Sequence, residues 1–100
     1  MADHVRVVVV LRADPGMGAE QVAAFAELAP LVRAEEGCLR YDLHAVVDDP
    51  DRFVVVEQWA SREALDAHLA SAHIAAYAER VGAFRQLPAE VHVLTNEPVA

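Results

Sequence analysis

The chain has 100 residues, and 8 Lys plus Arg against 16 Asp plus Glu give a formal net charge of −8. That field repels phosphate backbones and anionic membrane surfaces, which sets nucleic acid and membrane aside as partners. Hydrophobic residues make up 55% of the chain, yet apolar runs such as Val7 to Leu11 are far too short to cross a bilayer, and with no basic segment before an apolar stretch at the N-terminus the expected location is cytoplasmic.

Val5 to Leu11 is β-branched almost throughout and is closed by Ala13-Asp-Pro-Gly16, so the first element is a strand over His4 to Arg12 followed by a turn. Ala19 to Glu36 carries Val22, Phe25, Ala29 and Val32 at helical spacing, with Gly37 placed as a C-terminal stop. Pro30 inside this helix removes one backbone donor and is expected to bend it without ending it. No Ser, Thr or Asn stands near Gly18 to cap its start. Leu39 to Asp48 alternates with a two-residue period, a second strand placed at a sheet edge. Asp48-Asp-Pro-Asp51 reads as a turn of solvated charges, and Arg52 to Trp59 as a third strand pairing back on the second as a hairpin.

Ser61 is an N-cap for a second helix from Arg62, and Glu63 suits the positive end of its dipole. Leu65, Leu69, Ala72 and Ala76 share one arc and face the sheet if this helix is continuous; Ser71 alternatively caps a separate segment running to Val81. Gln86-Leu-Pro88 reads as a connector and Glu90 to Asn96 as a fourth strand. The lone Cys38 has no partner for a disulfide or a thiolate metal site and reads as a small buried residue.

The order strand, helix, strand, strand, helix, strand predicts a single α+β domain over residues 1–100, of the ferredoxin-like βαββαβ type. Its antiparallel sheet carries two helices on one face, with the Val-rich first and third strands in the centre. Both faces of those strands are apolar: Val8 and Val10 oppose Val7, Val9 and Leu11, and Val54 and Val56 oppose Phe53 and Val55. Two helices cover only one face, so the other predicts a symmetric homodimer.

The stretch from Phe53 to His73 carries the candidate chemistry. Trp59 ends a central strand, where it serves either as a core plug or as a wall for a flat substrate. Glu57 shares its face in an otherwise apolar run, so it needs a partner, an Arg, or a polar cavity. His68 and His73 flank the apolar arc of an unbroken second helix, and a His so placed can exchange protons near neutral pH. Tyr41 and Tyr77 bring hydroxyls that want partners when buried, and both are candidates for contacting substrate. The five His show no His-Glu-x-x-His run and no tight pair beside an acid, so no metal is expected. No phosphate loop, nucleophile elbow or dinucleotide fingerprint occurs.

At Glu36-Gly-Cys-Leu-Arg-Tyr41, at Glu57-x-Trp59 and at Ala67-His-Leu-Ala-Ser-Ala-His73, with Pro15-Gly16 before them, the sequence resembles the antibiotic biosynthesis monooxygenase domain family, which includes quinol monooxygenases. The resemblance implies a dimeric α+β barrel of ferredoxin-like subunits and oxidation of a quinol or similar phenolic by O2 with no cofactor. It implies that His68 and His73 are base and hydrogen-bond groups, Trp59 the wall beside them, and Glu57 and Tyr41 polar groups that orient substrate or His. Haem-degrading relatives use an Asn on the first strand; His4, Val5 and Arg6 stand there in this chain, so haem cleavage is not expected. The family also holds isomerases of small metabolites and members with no established activity, which leaves a cofactor-free isomerase and a non-catalytic dimeric binding module as alternatives.

Overall fold

In the computed structural model, which describes residues 4–100, the chain runs β1 (Val5–Ala13), α1 (Gly18–Arg33), β2 (Cys38–Val46), β3 (Asp49–Trp59), α2 (Arg62–Leu69), α3 (Ala72–Val81) and β4 (Arg85–Val93). The four strands form one antiparallel sheet in the order β2-β3-β1-β4, so the two Val-rich strands are central and the weaker ones lie at the edges. This is the α+β, ferredoxin-like arrangement expected from the element order. Among the described residues no helix is long and apolar enough to cross a membrane.

The core lies between the sheet and the helices. Alternate residues of β1 and β3, Val5, Val7, Leu11, Phe53, Val55 and Trp59, point into it and meet Phe25, Leu28, Ala29 and Val32 of α1 and Leu65 of α2. Val22 belongs to the expected helical stripe but is 49% exposed; the stripe that α1 buries runs instead through Gln21, Ala24, Phe25 and Leu28. The helix passes through Pro30, which sits on its exposed side, and ends at Arg33.

The missing cap of α1 comes from another strand. Asp51, read as a solvated turn residue, accepts the backbone N–H groups of Gly16 and Gly18 at 2.9 and 3.0 Å, satisfying donors that Met17 leaves open at the helix start. Gly18 is obligatory for this contact, because a Cβ there lies 2.2 Å from the Pro50 carbonyl oxygen. The β2–β3 hairpin is tighter than expected: Val46 pairs with Asp49, and Val47-Asp48 forms the loop. Asp48 has φ 67°, a left-handed conformation that Asp tolerates better than most residues.

The second helical region is two helices. Ser61 caps α2 by accepting from the Ala64 N–H, and Ser71 caps α3 by accepting from the Ile74 N–H. Of the four residues on the expected continuous stripe, Leu65 is buried, whereas Leu69, Ala72 and Ala76 are exposed, because the break at Ser71 resets the helical phase. The fourth strand starts earlier than expected. It includes Gln86-Leu-Pro88, and its pairing with β1 shifts between Val10 and Arg12; an edge strand tolerates a proline because one side of its backbone needs no partner.

Candidate active site

Gly37 closes the turn after α1 with φ +82°, and a Cβ there lies 2.6 Å from the Ala64 Cβ of α2. Only glycine allows that approach. The Ala60 N–H also donates to the Gly37 carbonyl at 2.8 Å. The turn is thereby pressed against the start of α2, and Glu35, just before it, reaches under the two histidines.

There Glu35 Oε2 meets His68 Nδ1 at 3.0 Å and His73 Nε2 at 2.6 Å. An ionised carboxylate only accepts, so each ring points an N–H at this oxygen, and a neutral His68 then keeps its lone pair on Nε2. His68 is 3% exposed, and it and Leu65 are the buried residues of α2. The Ser71 hydroxyl donates to the His68 carbonyl at 2.7 Å, so the cap of α3 also ties down the end of α2.

Aromatic rings enclose His68. Trp59, fully buried, has its ring centroid 4.5 Å from the imidazole. Tyr41 lies edge-on at 5.5 Å and stacks its own ring on Phe25 at 5.0 Å. Glu57, 6% exposed, accepts the Trp59 indole N–H at 2.9 Å; its partner is therefore the neighbouring indole and not an Arg. Burial pushes the Glu57 carboxyl above its usual range, the indole bond and His68 pull it down, and Glu35 pushes it up. Burial also drives the Tyr41 phenol far above its ordinary value, with Glu57, Tyr77 and Glu35 adding to the rise and Arg85 opposing it. Tyr41 therefore stays protonated, so its hydroxyl keeps a proton to donate. The Cys38 thiol is held up by burial and then by Glu35 and Glu57, a setting that suppresses the thiolate.

Five of the six residues singled out from the sequence, Tyr41, Glu57, Trp59, His68 and His73, thus gather around Glu35. Tyr77 is held apart from the Glu35 hydrogen bonds. Its hydroxyl accepts from Gln21 Nε2 at 2.7 Å and from the Arg85 guanidinium at 3.1 Å, and Arg85 also bonds Gln21 Oε1 at 3.2 Å. His73 and Tyr77 do share the wall of a groove of about 180 Å³ between α1 and α3. Sequence reasoning missed Glu35. It stands 33 residues from His68 and 38 from His73, and no local pattern announces a contact made by a turn.

A family model described as antibiotic biosynthesis monooxygenase matches residues 4–80, a span holding all of these residues except Arg85. This chain belongs to the antibiotic biosynthesis monooxygenase family. It is 39% identical to the Escherichia coli (strain K12) protein named "Probable quinol monooxygenase YgiN", an alignment covering 75% of this chain and 82% of that one. Among solved structures it superposes on Rv0793 from Mycobacterium tuberculosis with a TM-score of 0.84 at 32% identity, covering 97% of this chain and 96% of the other. The crystal structure of another antibiotic biosynthesis monooxygenase matches with a TM-score of 0.84 at 29% identity over 94% of this chain and 99% of that one. Likeness to a monooxygenase family therefore extends over sequence and fold together.

Proposed function

We propose that this chain oxidises an electron-rich phenol, a quinol in particular, with O2 and without a resident cofactor, using His68 as the base. The observation that carries this reading is the setting of His68: Glu35 fixes its Nδ1 side while Trp59 and Tyr41 enclose the ring. A carboxylate behind an imidazole orients it and stabilises the imidazolium formed when it takes a proton. Removing the substrate's hydroxyl proton leaves a phenolate able to pass one electron to O2, and the radical pair then recombines at the ring carbon. Shielding from water favours that recombination over escape. Tyr41, kept as a donor, and the second histidine, His73, suit the task of holding substrate oxygens as charge develops on them. Trp59 and Glu57 shape and fix the base's surroundings. The similarity to YgiN, named a probable quinol monooxygenase, supports the substrate class.

Oxygen-electrode assays against a quinol panel test the proposal. We expect uptake that depends on quinol and falls by at least 100-fold in His68→Ala, the size expected when a general base is removed, with a smaller loss in Trp59→Phe. Uptake equal to wild type in both variants overturns the assignment. Turnover that persists under argon points instead to an isomerase using the same histidine to move a proton.

We further propose that the working form is a homodimer joined through the helix-free face of the sheet. Support comes from Val8, Val10, Val54 and Val56, four valines left only half-buried there and paired with one another across the two central strands.

A further inference from the structure

We infer that Glu35, His68 and His73 form a binding site for one divalent first-row transition-metal ion, of the two-histidine, one-carboxylate kind. This goes beyond the monooxygenase reading and does not depend on it. The three donor atoms, one carboxylate oxygen and two ring nitrogens, lie within 4.8 Å of one another. Two of the three edges of that triangle are 3.0 and 2.6 Å, close to the spacing of roughly 3 Å that separates neighbouring ligands each about 2.1 Å from one ion. The third edge, between the two ring nitrogens, is no longer than 4.8 Å, and closing it calls for a movement of His73. That ring has the freedom to make it, with a side chain 26% exposed against 15% for Glu35 and 3% for His68.

The donor set matches the chemistry of such ions. Imidazole and carboxylate suit Zn(II), Co(II), Fe(II) and Ni(II), and one charged ligand with two neutral ones leaves positions open for water or substrate. The hydrogen bonds now seen, two ring N–H groups aimed at one oxygen, are the arrangement a metal replaces: each ring moves its proton to the outer nitrogen and turns the inner lone pair toward the ion. The surroundings favour a cation. Glu57 is a second carboxylate, bonded to the indole that packs on His68, and Arg33 is occupied by the Tyr41 carbonyl and Asp42. The outer ligand is within reach of solvent: His73 lines the groove between α1 and α3. The inner ligand is already rigid: Trp59 and Tyr41 pack the His68 ring, and Ser71 holds its backbone. Preorganisation of this kind raises metal affinity.

A consequence follows for the same residues. An ion held by Glu35 and both rings removes Glu35 from behind His68, so metal-loaded and base-competent protein are distinct forms.

The test is a titration of tag-free, EDTA-stripped protein with CoCl2, followed by visible absorption, and with ZnCl2, followed by calorimetry. The expected result is one Co(II) per chain with ligand-field bands that Zn(II) abolishes. Affinity should fall at least tenfold in His73→Gln and in Glu35→Gln, and stay unchanged in His92→Gln, which removes the exposed pair with Glu90. His73 and Glu35 are reached from the surface, so these variants keep the test valid if His68→Gln does not fold; circular dichroism checks each one. No saturable binding overturns the inference, as does binding that survives both His73→Gln and Glu35→Gln. Oxygen uptake by the stripped protein is measured separately, so failure of the metal site and failure of the monooxygenase reading are told apart.

Discussion

Glu57 is an acid on the buried face of a central strand whose hydrogen-bond partner is an indole N–H and not a cation. Burial dominates its titration and raises its proton affinity in the fold, with His68 and the Trp59 N–H opposing and Glu35 adding to the rise. The sign follows from linkage. A folded-state value above the unfolded one, about 4.3, means that the group's contribution to stability is complete below that pH and is lost as pH climbs through the folded value. Near neutrality an ionised Glu57 therefore costs stability. In Glu57→Gln this pH-dependent cost is absent, and the amide oxygen can still accept from Trp59. Differential scanning calorimetry should show the melting temperature of the variant gaining on wild type from pH 4 to pH 7.5. Each kcal/mol is worth roughly 4–8 °C for a chain of this size. A melting difference that does not change with pH contradicts the sign. Why an acid occupies this position is explained, in the functional reading, by its hold on the indole that packs His68.

At the level of elements, what was legible in the sequence is what is local. The Val-rich runs fix β1 and β3 because β-branched residues on both faces suit a central strand. Ser61 and Ser71 announce caps by their own chemistry, and Glu57-x-Trp59 share a face because a strand has a period of two. The remainder depends on contacts between distant segments. Asp51 caps α1 across 33 residues, and Glu35 meets two histidines on other helices, so neither appears in any window of the sequence. Pro88 misdirects the reading of β4, because its cost depends on the strand lying at an edge.

Gly37 joins these two levels: a helix stop by pattern, it is in the fold the contact that brings α1 and α2 together at the site. Gly37→Ala forces a side chain into the left-handed region and against Ala64. The expected loss is about 2–3 kcal/mol from backbone strain plus the clash, read as a lower urea midpoint. Adding Ala64→Gly should recover the part due to the clash and leave the part due to the backbone. Full recovery in the double variant indicates that φ carries no cost, and no loss in the single variant indicates that the turn moves freely.

For the whole molecule, the question is what covers the second face of the sheet. The helices lie on one side only, so on the other the register places Val8 beside Val56 and Val10 beside Val54. The edge strands flank them with Asp42 and His44 from β2 and Glu90 and His92 from β4. An apolar centre bordered by titratable groups has the anatomy of a protein interface, and a chain of 100 residues gains more than a larger one from burying such a patch. In the proposed dimer a two-fold axis through the valines would pair this face with its own copy, which needs no second complementary surface. Light scattering behind size exclusion at tens of micromolar should give twice the chain mass. Val54→Glu should halve it, because the substitution sets a charge at the centre of the contact and, by symmetry, a like charge facing it. If that variant unfolds once its partner is lost, folding and assembly are linked, and the melting temperature of wild type must then rise with protein concentration. A wild-type monomer whose melting is independent of concentration refutes the pairing and leaves the four valines without a role.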